Sequence, residues 1–260
     1  MVVPWNADVL AAEVARWFWP FVRVAAMVMV APVFGAAGVP VRVRLVTALA
    51  LTAAVAPVLP APPAVAPASV AGLLVGVQQL LIGLATGFAL RLVFAAIATA
   101  GQVLANTMGL GFASSVDPQN GVQVPVLSQF LVVLATLVFV SVNGHLILID
   151  IVAGSFRTLP VAAEGLGRAD LWAVAAWGGE LFAGAVLIAL PVLTALLLLN
   201  LAFGVITRAA PQLNIFAVGF PLSMLLGFVV IWVSLPGLLP QLERLLAAGL
   251  GLARTLLGGG

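Results

Sequence analysis

Two ionisable side chains, those of His145 and Asp150, lie in an apolar stretch and are of types that could move a proton. They are five residues apart, which puts them about 140° apart on an α-helix, so they do not pair on one face. A proton relay through both is one interpretation, since ionisable groups within membrane helices mark functional sites. The alternative, which we favour, is that neighbouring helices bury both groups and supply their hydrogen-bond partners.

Other charged residues also occur singly in apolar surroundings. Glu180 could pair with either Arg91 or Arg23, and the sequence does not choose between them. Arg23 lies one helical turn after Trp19, whose ring could carry the guanidinium in a cation–π contact. We expect structural roles for these groups. The candidate buried polar or charged residues are Arg23, Arg91, Asn143, His145, Asp150 and Glu180.

The chain lacks the residue sets on which most enzyme active sites depend. It contains one histidine, no cysteine and no lysine. A pair of metal-binding histidines, a thiol nucleophile and the lysine of a phosphate-binding loop are therefore impossible within the chain. The Gly-x-Ser-Gly turn of a membrane serine protease is missing as well. We predict that the chain is not an enzyme and that it holds no metal and no cofactor.

A glycine-rich loop, the gate loop, interrupts the apolar sequence at residues 108–121. Met108, Leu110 and Phe112 alternate with glycines, so in an extended conformation their side chains would project to the same side. A hydrophobic constriction of this kind can close a pore, although a buried packing loop without a gating role is an alternative. Asp117 and Pro118 then favour a turn that anchors the loop. The candidate gate residues are Met108, Gly109, Leu110, Gly111, Phe112, Ser115 and Val116.

The composition of the whole chain is that of a membrane protein. Hydrophobic residues make up 64% of 260 positions, charged residues 7%, and the mean hydropathy is +1.28, whereas about a quarter of the residues in a soluble domain are charged. Irregular backbone is tolerated at membrane depth only where protein buries it or where it lines an aqueous path. The gate loop therefore indicates part of a conduit. Stretches free of Asp, Glu, Lys and Arg cover residues 45–90, 118–149, 181–207 and 209–242.

We predict an all-α polytopic fold with about six long, kinked apolar helices. The third and fifth helices are longer than the roughly 20 residues that cross a bilayer. The third should therefore bend near Gly83 and Gly87 or project beyond the hydrocarbon, and Pro191 should kink the fifth. A proline-rich connector at residues 57–67 follows the second helix. The first, second, third and fifth helices are expected at residues 11–30, 45–58, 70–104 and 171–207.

Four glycines of the third helix, Gly72, Gly76, Gly83 and Gly87, share one face. The two pairs are offset by 11 residues, which is only about 20° of rotation on a helix. Small residues four apart let another helix approach closely in a membrane. We therefore expect a partner helix on this face, the alternative being that membrane helices simply tolerate these glycines.

A second irregular segment follows Arg208 and separates two apolar runs. Pro211 ends the preceding helix because proline has no amide hydrogen to donate. Gln212 and Asn214 can bond to the backbone groups that a tight helical hairpin leaves free. We expect the role of this segment to be structural.

Several short motifs keep their order and spacing along nearly the whole chain. After the gate loop come Val124-Pro-Val-Leu127, Asn143-Gly-His145, Phe156-Arg-Thr-Leu-Pro160, Arg208-Ala-Ala-Pro-Gln-Leu-Asn-Ile-Phe216 and Gly219-Phe-Pro221. Together they closely resemble the FliR family, the R subunits of the bacterial flagellar type III export gate. Phe112 matches one aromatic residue of the loop that helps to plug the gate in that family. Ser115 departs from the pattern, because relatives carry a second phenylalanine there.

The resemblance implies a subunit of the bacterial inner membrane within the flagellar basal body. Its implied partners are the P and Q gate subunits, the B subunit that docks on the complex, membrane lipid and the unfolded flagellar proteins that pass through the gate, with no nucleic acid. Members of the family look like a P-type unit joined to a Q-type unit. Here these would be about residues 1–165 and a helical hairpin of about 171–260, in a single membrane-embedded domain.

Three other functions are compatible with the sequence. The nearest is a gate subunit of a virulence type III secretion system, in which the T subunit is equivalent. The second is a proton-coupled membrane transporter, which would use Asp150, Glu180 or Arg91 near the midplane of the membrane and would show an inverted repeat. The third is a structural membrane scaffold without a pore, which would tolerate charges at residues 108–116. We find no convincing internal repeat, so the export gate is favoured.

Overall fold

The computed structural model of the chain describes residues 7–60, 62–63, 65–110, 126–209 and 215–258. Within these ranges there are eight α-helices and one short 3-10 helix, and no β-strand. The predicted all-α fold is therefore confirmed. The helices are α1 (Ala7–Val30), α2 (Val41–Val55), α3 (Val70–Thr107), α4 (Val126–Ser141), α5 (Gly144–Thr158), α6 (Arg168–Ala176), α7 (Gly178–Ala209) and α8 (Ile215–Leu256), and the 3-10 helix is Ala56–Val58.

Four of the described helical stretches are long and apolar enough to cross a membrane. A fifth span arises if α4 and α5, which are bent by 64° relative to each other, are taken as one broken crossing. The predicted number of about six is slightly too high, because Glu13, Arg16 and Arg23 interrupt the apolar sequence of α1. The four stretches are Val41–Val58, Val70–Thr107, Arg168–Ala209 and Val218–Leu256.

Helix α2 begins four residues earlier than predicted, at Val41. Pro40 precedes it with φ −59° and ψ 145°, in keeping with proline's fixed φ at a helix start. Arg44 is part of the helix and caps the turn before it, since its Nη2 donates to the carbonyl oxygen of Ala36 at 2.8 Å and its Nε to that of Val39 at 3.1 Å. The arginine therefore stabilises the start of α2.

Helix α3 runs without a break through both Gly83 and Gly87. Its 38 residues correspond to about 57 Å of helix at 1.5 Å per residue. The hydrocarbon core is about 30 Å thick, so α3 must tilt strongly or extend beyond it. The helix is thus continuous past both glycines, and the two predicted alternatives, a bend near them or a projection beyond the hydrocarbon, stay predictions. Pro191 likewise lies inside the continuous helix α7.

The corner between α4 and α5 is made by Asn143, which has φ 57° and ψ 26°. Asparagine tolerates this left-handed conformation better than most residues. Its carbonyl oxygen accepts hydrogen bonds from the N–H groups of Leu146 at 2.9 Å and Ile147 at 3.0 Å, which start α5. The local conformation of Asn143 therefore explains why the apolar stretch around it folds as two helices.

The chain divides into two compact units, each built from separate stretches of sequence. The first unit comprises Met1–Leu92, Asn143–Gly178 and Leu246–Gly260, and the second comprises Val93–Val142 and Gly179–Leu245. Each unit has its own buried side chains. The largest are Trp19, Arg23, Met27, Ile82, Leu90, Leu148 and Phe156 in the first unit, and Ile97, Met108, Phe139, Leu196 and Leu242 in the second.

Candidate functional site

Helix α3 ends in a glycine-capped turn where the gate loop begins. Gly109 has φ +82°, a left-handed conformation that glycine adopts without steric cost. The N–H of Gly109 donates to the carbonyl oxygen of Asn106 at 3.1 Å, and the N–H of Leu110 donates to that of Ala105 at 2.9 Å. This pair of bonds is a Schellman motif. Gly109 therefore fixes where α3 stops and in which direction the chain leaves it.

The base of the gate loop packs against one face of α8, the α8 docking face, formed by Phe220 and Gly227. These residues are seven apart and so lie on the same side of the helix. The side chain of Met108 is fully buried, and a Cβ atom added at Gly227 would lie only 2.7 Å from its Cε. A Cβ atom added at Gly109 would lie 2.5 Å from Cδ1 of Phe220. The contact of Met108 with Gly227 and that of Gly109 with Phe220 both lie within the second unit. Each contact needs a glycine, because a Cβ atom would occupy the space of the neighbouring side chain.

The first residues of the gate loop are not extended, so that part of the prediction is wrong. Residues 108–110 form a hydrogen-bonded turn, and alternate side chains share a side only in an extended backbone. Met108 consequently packs inside the protein, and Leu110 is partly exposed. The remaining gate and anchor residues lie outside the described part of the chain: Gly111, Phe112, Ser115, Val116, Asp117 and Pro118.

The glycines in the middle of α3 lie directly against α1. A Cβ atom added at Gly83 would collide with the carbonyl oxygen of Arg23 and would lie 2.7 Å from Cβ of Ala26. At Gly87 it would lie 2.9 Å from the carbonyl oxygen of Met27. The backbone of α1 lies so close to the backbone of α3 at these two glycines that no side chain fits between them. Helix α1 is therefore the helix that approaches this face.

The two glycines nearer the start of α3 have different neighbours. A Cβ atom added at Gly76 would lie 3.5 Å from Cζ3 of Trp19, an ordinary contact. Gly72 lies instead against the connector that precedes α3, where a Cβ atom would come within 2.7 Å of the carbonyl oxygen of Pro67. The face shared by the four glycines therefore meets α1 over Gly76, Gly83 and Gly87 only.

Arg23 is fully buried in the first unit and makes four hydrogen bonds. Its Nε and Nη2 donate to Oε1 of Gln79 at 2.9 and 2.6 Å. Its Nη1 donates to Oγ of Ser155 at 2.8 Å, and its Nη2 also donates to the carbonyl oxygen of Leu159 at 2.8 Å. One side chain thus joins α1, α3 and the end of α5.

The aromatic partner of Arg23 is Phe156, whose ring centroid lies 4.0 Å from the guanidinium carbon. The predicted stacking on Trp19 is therefore wrong, because α5 places the ring of Phe156 over the guanidinium. The three acceptor atoms of these four hydrogen bonds are all neutral oxygens. In the described part of the chain the one ion pair is Glu13 with Arg16, at 3.9 Å, so the positive charge of Arg23 has no carboxylate beside it.

Gln79 and Ser155, which hold the guanidinium of Arg23, are not among the residues predicted from the sequence. The signal was present, since each is a small or medium polar residue within an apolar helix. Both are buried, and polar groups in such places need a partner. The Nε1 atom of Trp19 and the Nε2 atom of Gln79 are buried and have no hydrogen-bond partner among the described residues.

The other candidate buried residues are not buried by this chain alone. Arg91, Asn143, Asp150 and Glu180 are exposed, and His145 is partly buried with an unpaired Nδ1 atom. The expectation of burial within the chain is therefore wrong for the four exposed residues. They occupy outward positions of their helices or, for Asn143, a corner. In the membrane, these exposed groups would contact lipid, water or other subunits.

The segment between α7 and α8 contains the predicted hairpin residues. Arg208 lies in the last turn of α7 and is exposed. Pro211, Gln212 and Asn214 lie outside the described residues, between the end of α7 at Ala209 and the start of α8 at Ile215. Two long helices thus flank a short connection.

Comparison with known proteins identifies the class of this all-α membrane protein. The sequence profile of the family "Bacterial export proteins, family 1" matches residues 14–249. The chain therefore belongs to this family of bacterial export proteins.

Relatives that are similar over most of their length carry one name. The chain is 42% identical over 229 residues to the flagellar biosynthetic protein FliR of Escherichia coli K12, covering 88% of this chain and 87% of that protein. It is 41% identical over 234 residues to FliR of Pectobacterium carotovorum, covering 89% and 88%, and 31% identical over 218 residues to FliR of Bacillus subtilis, covering 83% and 84%. The resemblance predicted from the motifs is confirmed, and with it the function of a flagellar export-gate subunit.

Proposed function

We propose that this chain acts in the bacterial inner membrane as the R-type subunit of the flagellar export gate. With the P, Q and B subunits it forms part of the pore through which unfolded flagellar proteins leave the cytoplasm. Residues of about 1–165 supply the P-like part and about 171–260 the Q-like hairpin. The chain works as a conduit and catalyses no reaction.

The gating role rests on one observation, the closely packed base of the gate loop. Met108 is buried against Gly227, and Gly109 caps α3 against Phe220. A plug must return to the same place after each passage, which a firmly held base allows. Gly111 and Phe112 follow this base in the sequence. Phe112 then supplies the bulk that blocks the pore.

Partner subunits are supported by the surface of the long helices. Trp232 of α8 is 72% exposed and Phe182 of α7 is 67% exposed, and lipid or protein could cover such apolar residues. Arg91 and Glu180 are also exposed on apolar helices. A charge that faces lipid at mid-membrane costs about 2.5–3.5 kcal/mol. These charged positions therefore favour contact with other subunits or with water.

Deletion of the gene tests the flagellar function. We expect a clean deletion strain to secrete no flagellar subunits and to be non-motile, and a plasmid copy of the gene to restore both. Motility that survives the deletion would overturn the proposed function.

The plug assignment needs a separate test in the assembled complex. We expect Phe112→Gly to raise the leak of small ions across the membrane, because removing the ring opens the constriction. Phe112→Leu keeps a large apolar side chain and should stay sealed, which makes it the matched control. An unchanged leak in Phe112→Gly would remove Phe112 from the plug and would leave the family assignment intact.

A further inference from the structure

A cavity of about 390 Å³ in the first unit carries two arginines on its wall. It lies among α1, the end of α2 with the connector that follows, and the end of α5. Its lining includes Arg16, Pro20, Ala56, Phe156, Arg157 and Pro160. None of these elements contributes to the gate loop, so the cavity is separate from the proposed plug.

The charge around this cavity is positive. Arg16 has only a long, exposed ion pair with Glu13, at 3.9 Å, and such surface pairs contribute little energy. Arg157 is exposed and makes no hydrogen bond or ion pair with the described residues. Arg23 adds a third positive charge, since it lies 4.0 Å from the ring of Phe156, which lines the cavity. Two arginines thus line the cavity, a third contacts the Phe156 ring in its wall, and the carboxylate of Glu13 lies beside Arg16.

The cavity also lies where the ends of apolar helices meet. The candidate span Val41–Val58 ends beside it, since Ala56 and Leu59 line the cavity, and Arg157 is in the last turn of α5. A second, wide groove of about 690 Å³ runs along the same pair of helices, α1 and α2. Apart from Glu13 and Thr52 its lining is apolar and partly aromatic: Val14, Trp17, Phe18, Phe21, Leu49 and Ala53.

We propose that the arginine cavity binds the phosphate of an anionic phospholipid, whose acyl chain lies along the groove between α1 and α2. Arginine forms paired, charge-assisted hydrogen bonds with phosphate oxygens. Aromatic side chains such as Trp17 and Phe18 are typical of the boundary between headgroups and hydrocarbon. Free phosphate would use the arginines and leave the groove empty, whereas a phospholipid fits both. The bound lipid stabilises the junction of α1, α2 and α5.

The test measures lipid retention by the full-length chain. The purified protein is reconstituted into vesicles of phosphatidylcholine with a minor fraction of phosphatidylglycerol and is then extracted in mild detergent. Native mass spectrometry measures the masses of the protein–lipid complexes and so identifies the lipids that stay bound. We expect a preference for phosphatidylglycerol. Basic residues near a membrane surface contribute about 1 kcal/mol each, so Arg16→Gln with Arg157→Gln should weaken that preference about thirtyfold and either change alone about fivefold.

Three controls make the result decisive. Arg254→Gln removes one exposed charge from α8 outside the cavity and should leave the preference unchanged. Arg16→Lys with Arg157→Lys keeps both charges and should retain most of it, which separates charge from misfolding. Excess inorganic phosphate should compete weakly. Equal retention of both lipids by the wild type, an unchanged preference in the glutamine variant, or full displacement by inorganic phosphate would each overturn the proposal.

The proposal is independent of the gate function, because flagellar export and lipid retention are measured separately. An acidic segment of a partner subunit is the competing occupant. If such a segment occupies the cavity, the double glutamine variant should assemble poorly with its partners and yet keep the wild-type lipid preference. That result would overturn the phospholipid proposal.

Discussion

Arg23 is a cation held by neutral oxygens, and this is possible because its guanidinium is large and planar. Burying a charge is costly unless hydrogen bonds replace the lost water. Gln79, Ser155 and Leu159 supply four such bonds, and the ring of Phe156 adds a cation–π contact. Lysine could not imitate this arrangement, since its single ammonium group lacks the fork of donors.

We expect Arg23→Met to lower the free energy of unfolding of the purified chain by about 3 kcal/mol. The substitution leaves the oxygens of Gln79 and Leu159 buried without donors, at a cost of about 1–3 kcal/mol for each unsatisfied group. Arg23→Lys should be destabilising as well. Arg254→Met, at an exposed position of α8, should stay within about 0.5 kcal/mol of the wild type. Equal melting temperatures for Arg23→Met and the wild type would contradict this role.

At the scale of residues, the sequence predicts that Arg23 is buried but not what it touches. Trp19 is its neighbour within the helix, and local spacing can propose only such partners. Gln79 and Ser155 are distant in sequence, and their positions depend on how α3 and α5 pack against α1. The same limit explains why Arg91 and Glu180, equally isolated in the sequence, are exposed in the single chain.

Helix α3 shows how far a pattern can define an element. The offset of its glycine pairs predicts one shared face, and α1 lies against that face at Gly83 and Gly87. The pattern does not predict which helix packs on this face. It also does not distinguish Gly83 and Gly87, which lie against backbone atoms, from Gly76, where a Cβ atom would fit. The alternation at residues 108–112 misleads for a related reason. Gly109 ends α3 in a hydrogen-bonded cap, and that cap determines the backbone conformation of residues 108–110.

Two glycines of α3 should therefore respond oppositely to alanine. Gly83→Ala places a methyl group against the carbonyl oxygen of Arg23, and forcing α1 away should cost about 1–3 kcal/mol, as overpacking does. Gly76→Ala meets Trp19 at an ordinary 3.5 Å and should be neutral or stabilising by up to about 1 kcal/mol, because alanine favours helix. Thermal unfolding of both variants in detergent measures the difference. A Gly83→Ala protein as stable as the Gly76→Ala protein would show that α1 does not closely approach Gly83.

For the whole molecule, composition predicts a membrane protein, and the structure shows that its apolar helices differ in how far the chain itself covers them. The apolar window of α8 is only 6% buried within the chain, against 61% for that of α3. Composition cannot tell these cases apart, since both helices are apolar. Which helix faces its own chain and which faces lipid or another subunit depends on tertiary packing.

The absence of cysteine from the chain allows this difference in environment to be mapped by single substitutions in the assembled complex. We expect Trp232→Cys, on the exposed apolar part of α8, to be protected from a membrane-impermeant maleimide, because lipid or a neighbouring subunit covers it. Glu243→Cys, exposed on the same helix at the end of its uncharged stretch, should be labelled, because a charged side chain there is expected to reach water. Buried Leu242→Cys serves as the unreactive reference. If position 232 reacts as fast as position 243 and both react faster than position 242, α8 is open to water along its length and does not form a membrane-embedded wall of the gate.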